Sequence, residues 1–360
     1  MLFAHRATPQ DQARAGFGMT FDWDVDLTCG YNHAFLDNVS KSPGLDHFGG
    51  CNTPAVRERL RAGRFDAVLI MGWHLKSYVQ GLIAAKRLGL PVLVRGDSQL
   101  TTPRSSVKRL AKALGYPGLL RLFDVALYVG QRSRAYYGRF GYPEKRLFFS
   151  PHCVDATWFA DRATPAARER LRHQIGVAEN IKLILFAGKL ISDKRPLDLI
   201  LAASALRRRG RAVEGLIAGD GALKCDLENV ARLAQVPVHF LGFRNQTEMP
   251  GAYAAADALA LPSAATETWG LVANEALACG RPIIVLDACG CSDDLVGDGE
   301  DHRTGRVFPL GDVDAFANAI ESVIDAPPAP ANLSSMTSRY SIANAVCGVC
   351  EALASLGLAP

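Results

Sequence analysis

No apolar run in this sequence approaches the roughly 20 residues that a helix needs to span a bilayer, so the chain is not expected to cross one. An excess of charge of one sign is also missing. Lys and Arg number 40 against 36 Asp and Glu, and a net charge of +4 over 360 residues leaves no electrostatic footprint for nucleic acid. Metal-ligand spacing is absent. The nine cysteines include a single C-x2-C, Cys347-Gly348-Val349-Cys350, with no second pair to complete a zinc site. Cys289-Gly290-Cys291 falls in an expected loop and the other thiols are scattered, so reduced, mostly packed cysteines and no metal are expected. Met1 to Arg6 is too short for a leader peptide, and the expected compartment is the cytosol.

One further absence concerns the fold. A doubly wound domain ordinarily opens with a strand, a glycine-bearing turn and a helix before its second strand. This chain starts instead with Leu2-Phe3-Ala4 as a strand, followed by a loop from Arg6 to Gly30 that contains Gly16-Phe17-Gly18 and Trp23-Asp24. With a strand order of 3-2-1-4-5, the missing strand would lie between Leu2-Phe3-Ala4 and the strand at Val68. The functional product is therefore expected to carry roughly 35–45 further upstream residues, one strand plus one crossover helix. The 360-residue form alone is expected to aggregate or to be inactive.

What is present reads as α/β. An apolar fraction of 49% with 21% charge suits an ordinary globular chain of two domains. Strands are expected at Phe65 to Met71, Pro91 to Arg95, Asp124 to Val129 and Leu147 to Phe149, with helices at Pro54 to Gly63 and His74 to Leu88. A linker, Ser150 to Ala167, and a short polar helix lead to a second series. It has strands at Leu183 to Ala187, Val213 to Ala218, Val238 to Leu241, Ala258 to Leu261, Ile283 to Val285 and Thr304 to Phe308. Pro327 to Pro330 reads as a stiff extended spacer before a last helix at about Ser341 to Leu356. Strand and helix alternate without strand-only runs, so both sheets should be parallel. Ser105 to Leu122 interleaves Lys108, Arg109, Lys112 and Arg121 with Val107, Leu110 and Leu114, which suits an amphipathic helical hairpin broken near Gly115-Tyr116-Pro117. With Arg104, this basic stretch over residues 104–122 is either a surface helix or an interfacial element for anionic lipid.

The most informative stretch is Glu267-Thr268-Trp269-Gly270-Leu271-Val272-Ala273-Asn274-Glu275-Ala276-Leu277-Ala278-Cys279-Gly280-Arg281-Pro282. Gly270 permits a close backbone approach, the residues from Leu271 favour helix, and Gly280 with Pro282 ends it. The amides of Gly270, Leu271 and Val272 would cluster at the helix N-terminus, where donors and dipole favour an anion, between the carboxylates of Glu267 and Glu275. On the residues alone two readings stand. One is an anion site flanked by acceptors for sugar hydroxyls; the other is an acidic first turn and an exposed Glu275, both in solvent.

The frame E-x-x-G-L-x-x-x-E-A-x-A-x-G-x-P resembles the signature of family 4 retaining glycosyltransferases of the GT-B fold. Gly188-Lys189-Leu190-Ile191-Ser192-Asp193-Lys194 is similar to that family's G-R-L-x-x-x-K, and Ala218-Gly219-Asp220-Gly221 to its G-x-G turn. Phe240-Leu241-Gly242, Ala255-Ala256-Asp257 and Leu261-Pro262-Ser263 follow in the family's order, so the likeness covers roughly residues 180–325. The resemblance implies two Rossmann-like doubly wound domains facing a cleft. Residues 1–165 would form the acceptor side, 175–330 would bind the nucleotide sugar, and 333–360 would return to the first domain.

It also implies roles. Lys189 and Lys194 would neutralise the leaving diphosphate, Glu267 would reach hydroxyls of the transferred sugar, and Glu275 would accept from the ribose. Gly219, Asp220 and Gly221 would let backbone approach the nucleotide, beside the helix amides of Gly270, Leu271 and Val272. The family has arginine where Lys189 stands, and paired glycines where Cys289-Gly290-Cys291 stands. At N-domain strand ends, His74 and Asp97 are candidates on the acceptor side; a loop or cap role for His74 is the competing reading. The implied partners are a nucleoside diphosphate sugar, which serves as donor substrate with no further cofactor, and a glycan or lipid-linked acceptor at the inner membrane face. No nucleophile is evident, so the implied route is a metal-independent front-face transfer with retention. A non-catalytic nucleotide-sugar-binding subunit and a GT-B nucleotide-sugar epimerase are the alternatives.

Overall fold

A computed structural model of the chain describes residues 1–103, 105–297 and 304–358. Contacts divide it into two compact units. Met1–Asp11, Asp26–Pro151 and the segment from Ala343 onward form the first; Gln12–Val25 and His152–Ile342 form the second.

In the first unit, β1 (Leu2–Phe3) and β2 (Ala34–Phe35) make a short parallel ribbon, with Leu2 opposite Ala34. A separate parallel sheet has the order β3-β4-β5-β6, with β3 at Val68–Ile70, β4 at Val92–Gly96, β5 at Val125–Tyr128 and β6 at Leu147–Phe149. Val92, Leu93, Val94, Ala126 and Leu127 are buried, as expected of parallel strands covered on both faces. On one face Ile70, Val92 and Val94 pack with Leu60 and Leu82, which lie on the helices Val56–Gly63 and Lys76–Arg87. On the other, Leu93, Val125 and Leu127 meet Ala352 of the last helix, Ile342–Ser355. A Cβ at Gly348 of that helix would stand 1.8 Å from the Phe149 carbonyl oxygen, so only glycine allows this approach.

Three expectations need correction. The basic stretch is one continuous helix, Ser106–Leu120, and not a hairpin. Pro117 lies near its C-terminal end, and Tyr116 is held edge-on to Trp73 at 5.7 Å and beside Phe140 at 5.3 Å, so packing outweighs the lost donor. Arg104 lies outside the described residues. The linker contains a helix, Ala156–Arg162, because the Asp155 side chain caps it by accepting from the Trp158 amide at 3.0 Å. The proline-rich spacer ends in a helix, Pro330–Arg339, whose first proline occupies the position where a missing N–H costs nothing.

The second unit carries a six-stranded parallel sheet of order β12-β11-β10-β7-β8-β9. The strands are β7 (Lys182–Ala187), β8 (Val213–Ala218), β9 (Val238–Gly242), β10 (Ala258–Leu261), β11 (Ile283–Leu286) and β12 (Gly305–Phe308). From β7 the chain winds outward to β8 and β9 on one side, then returns to lay down β10, β11 and β12 on the other. The loops after β7 and β10 therefore diverge and leave a crevice at the carboxyl ends of the strands.

Candidate functional site

A cavity of about 250 Å³ lies at that crevice. Its wall includes Lys189 and Lys194 from the loop after β7, Gly219 after β8, and Glu267, Gly270, Leu271, Val272 and Glu275 from the stretch after β10. Backbone packing shapes it. A Cβ on Gly219 would fall 1.8 Å from the Gly188 carbonyl oxygen, and one on Gly270, at φ 97°, would fall 2.7 Å from Leu261 Cδ2. The first methyl would force two loops apart; the second would displace the Leu261 side chain and strain a positive φ.

Lys189 follows directly on Gly188, and its Nζ stands 4.6 Å from the centre of the Phe17 ring. Burial, and then the nearby Lys194 ammonium, lowers its pKa from the ordinary lysine value, and the Glu267 carboxylate opposes that fall. Lys194 ends the turn Ser192–Lys194 and forms an ion pair with the Glu267 carboxylate. The sequence reading gave these two side chains separate tasks; the structure couples them.

The helix Leu271–Ala278 starts at Gly270, and Gly270, Leu271 and Val272 at its N-terminus line the cavity. Glu275, one turn inside, accepts a 2.6 Å hydrogen bond from the Tyr253 hydroxyl. Burial raises the Glu275 pKa, and the Tyr253 bond opposes that rise by favouring the carboxylate. The loop is buttressed from below. Gly290 N donates to the Glu267 carbonyl at 3.0 Å, and Cys289 Sγ donates to the Trp269 carbonyl at 3.2 Å. A Cβ at Gly290 would meet Thr268 O at 1.8 Å. Cys289-Gly290-Cys291 thus supports the loop with free, buried thiols.

Other candidates fall elsewhere. Asp220 and Gly221 lie outside the cavity wall: Asp220 accepts from Gly221 N at 2.8 Å and pairs with Lys224 at 3.1 Å, so it shapes the turn. His74 and Asp97 belong to the first unit. His74 is exposed and sits edge-on to Tyr78 at 5.4 Å, and Asp97 lies close enough to Tyr137 to help raise its pKa, after burial and two neighbouring tyrosines.

The remaining wall was not found by sequence reasoning. Phe17 and Trp23 reach it from the segment Gln12–Val25, and Phe243, Arg244, Gln246 and Met249 from the stretch after β9. Tyr253 was missed because nothing separates it from the alanines around it until its partner is known. A signal for the other aromatics existed: Phe17, Phe21 and Trp23 cluster within seven residues of one segment.

Residues 167–339 match the family model described as Glycosyl transferases group 1. The alpha-D-kanosaminyltransferase of Streptomyces kanamyceticus is 32% identical over 171 residues, which is 47% of this chain and 43% of that protein. The D-inositol 3-phosphate glycosyltransferase of Arthrobacter sp. is 29% identical over 304 residues, 79% of this chain and 68% of that one. The chain thus matches from under half to about two thirds of these relatives' lengths. The crystal structure of Anabaena HepE in complex with UDP superposes with a TM-score of 0.71 at 21% identity, covering 90% of this chain and 86% of that one. A glycosyltransferase from Rickettsia africae gives 0.68 at 15% identity, covering 90% and 85%. Fold and matched segment agree: the chain has the α/β GT-B fold, and its residues 167–339 are similar to the glycosyl transferases group 1 model.

Proposed function

We propose that this protein is a retaining glycosyltransferase that moves a sugar from a nucleoside diphosphate sugar to a glycan or lipid-linked acceptor. One observation carries the reading: two lysines, two carboxylates and a helix N-terminus converge on one crevice at the switch point of a doubly wound sheet. Lys189, Lys194 and the amides from Gly270 to Val272 face the diphosphate, whose charge grows as the bond to the sugar breaks. Glu275 accepts from the ribose hydroxyls and Glu267 from the transferred sugar. In the metal-independent front-face route, the C1–O bond to phosphate breaks while the acceptor oxygen bonds to C1 on the same face. The acceptor's proton passes to the departing phosphate, so no protein base is required. His74 and Asp97 are proposed to serve the acceptor. Anabaena HepE is crystallised with UDP and with UDP-glucose, which makes a UDP-sugar the first donor to offer.

Peripheral contact with anionic membrane, at the cytoplasmic face, belongs to the same proposal. The helix Ser106–Leu120 leaves Val107, Leu110 and Leu114 exposed beside Lys108 and Arg109, and no helix among the described residues is long and apolar enough to cross a bilayer. The test is incubation with labelled UDP- and GDP-sugars, with and without a membrane extract, followed by determination of the product's anomeric configuration. Transfer with retention supports the proposal. Binding without transfer would instead indicate a non-catalytic subunit, and conversion of the donor without acceptor an epimerase.

A further inference from the structure

The cavity wall combines charged groups, Lys189, Lys194 and Glu267, with the aromatic and apolar side chains of Phe17, Trp23, Phe243 and Met249. Part of the aromatic lining comes from a strap, Gln12–Val25, that is far in sequence from every other wall residue. Gly16 and Gly18, at φ 99° and 73°, turn the strap so that it lies against Lys189, Ile191 and Gly221. Phe17, Phe21 and Trp23 then interlock with Phe243, with ring centres 5.8 Å apart for Phe17–Phe243, 4.1 Å for Phe21–Phe243 and 5.1 Å for Phe21–Trp23. Polar bonds latch the far end. Asn245 Nδ2 donates to the Asp22 carbonyl at 2.8 Å, and the Asp24 carboxylate accepts from the Thr247 amide at 3.2 Å and from its hydroxyl.

Despite these contacts Trp23 remains 38% exposed, more than an indole serving only as core would be. A flat, amphipathic ring that lines a pocket shared with two lysines and a helix N-terminus suits base stacking beside a diphosphate. We propose that Trp23 contacts the nucleobase of the donor, and that Asp24, through its carboxylate's bonds to Thr247, is the positioning residue that holds it there. The strap thereby contributes to nucleotide affinity. This rests on the donor site proposed above, and the experiment separates the two.

UDP and GDP are titrated calorimetrically into wild type, Trp23→Phe, Trp23→Ala and Asp24→Ala, with inorganic pyrophosphate as a ligand that lacks a base. Trp23→Ala should weaken the preferred nucleotide about ten-fold. Trp23→Phe should restore most of that loss, and Asp24→Ala should lose part of it with Trp23 still present. Pyrophosphate should bind all four proteins alike. Nucleotide should also quench the intrinsic fluorescence of wild type more than that of Trp23→Phe, because Trp23 is the tryptophan of this cavity wall among the described residues. Unchanged UDP and GDP affinity in Trp23→Ala would overturn the inference while leaving the donor site intact. Equal losses for UDP and pyrophosphate would overturn it as well, since the strap would then support the pocket as a whole. A wild type that binds neither nucleotide would overturn the donor site itself, and this inference with it.

Discussion

The two units use the same parallel α/β logic and spend their glycines differently. In the second, a Cβ on Gly219 or Gly290 would strike the backbone of a neighbouring loop, and Gly270 holds a positive φ against Leu261, so these glycines shape the loops around the cavity. In the first, Gly348 seats the last helix against the Phe149 carbonyl and Gly50 meets the Gly44 carbonyl, while Gly138 lies on the exposed face of the helix Gln131–Arg139 with nothing within 4 Å of an added Cβ, and the basic helix Ser106–Leu120 displays apolar side chains to solvent. The candidate site thus lies at the reversal of strand order, where the loops after β7, β8 and β10 reach one point.

The strongest way to break this contrast is Gly219→Ala. The new methyl meets the Gly188 carbonyl oxygen, so we expect a loss of about 3–5 kcal/mol in stability and of nucleotide binding, read by thermal melting and calorimetry. A variant that melts like wild type would show that the loops yield.

Lys194→Ala should lower kcat about 100- to 1000-fold with a smaller change in donor KM, because its charge opposes a negative charge that peaks in the transition state. The partner change Glu267→Gln removes the ion pair and keeps Lys194, so comparing the two in single-turnover kinetics sharpens the assignment.

Glu275→Gln should weaken donor binding by about 1.5–3 kcal/mol, as a neutral amide replaces a charged acceptor. Stability should move the other way. The folded pKa of Glu275 is raised, so the stability it contributes is present in acid, below the unfolded carboxylate pKa, and is lost as pH rises through the folded value. Glu275→Gln should therefore melt above wild type at neutral pH, and the gap should close on acidification. Lys189 gives the opposite limb. With its pKa lowered, donor affinity should fall at a pH below the ordinary lysine range, and Lys189→Arg should move that fall upward.

The smallest effect is the control in the first unit. Gly138→Ala should raise stability by about 0.5–1 kcal/mol, since a helical glycine in open space contributes only unfolded-state entropy. Destabilisation there would erase the contrast between the units.

The alternation of strands and helices, and the turn between Gly270 and the helix beyond it, were legible because they rest on local rules: side-chain period, glycine and proline placement, and capping. The same rules misjudged Ser106–Leu120, where Tyr116 packing carries the helix past Pro117, and the Asp155 cap inside the linker went unread. What only the tertiary structure decided lies at long range. Lys194 meets Glu267 across 73 residues, Tyr253 meets Glu275 across 22, and Asp24 meets Thr247 across 223. No periodicity encodes such pairs. By itself the sequence determined which segments become strands, helices and tight turns, because those choices depend on neighbours a few residues away. Which distant side chains share a cavity wall was decided by the packing of loops at the ends of β7, β8 and β10, where close backbone contact leaves few arrangements that satisfy every buried group.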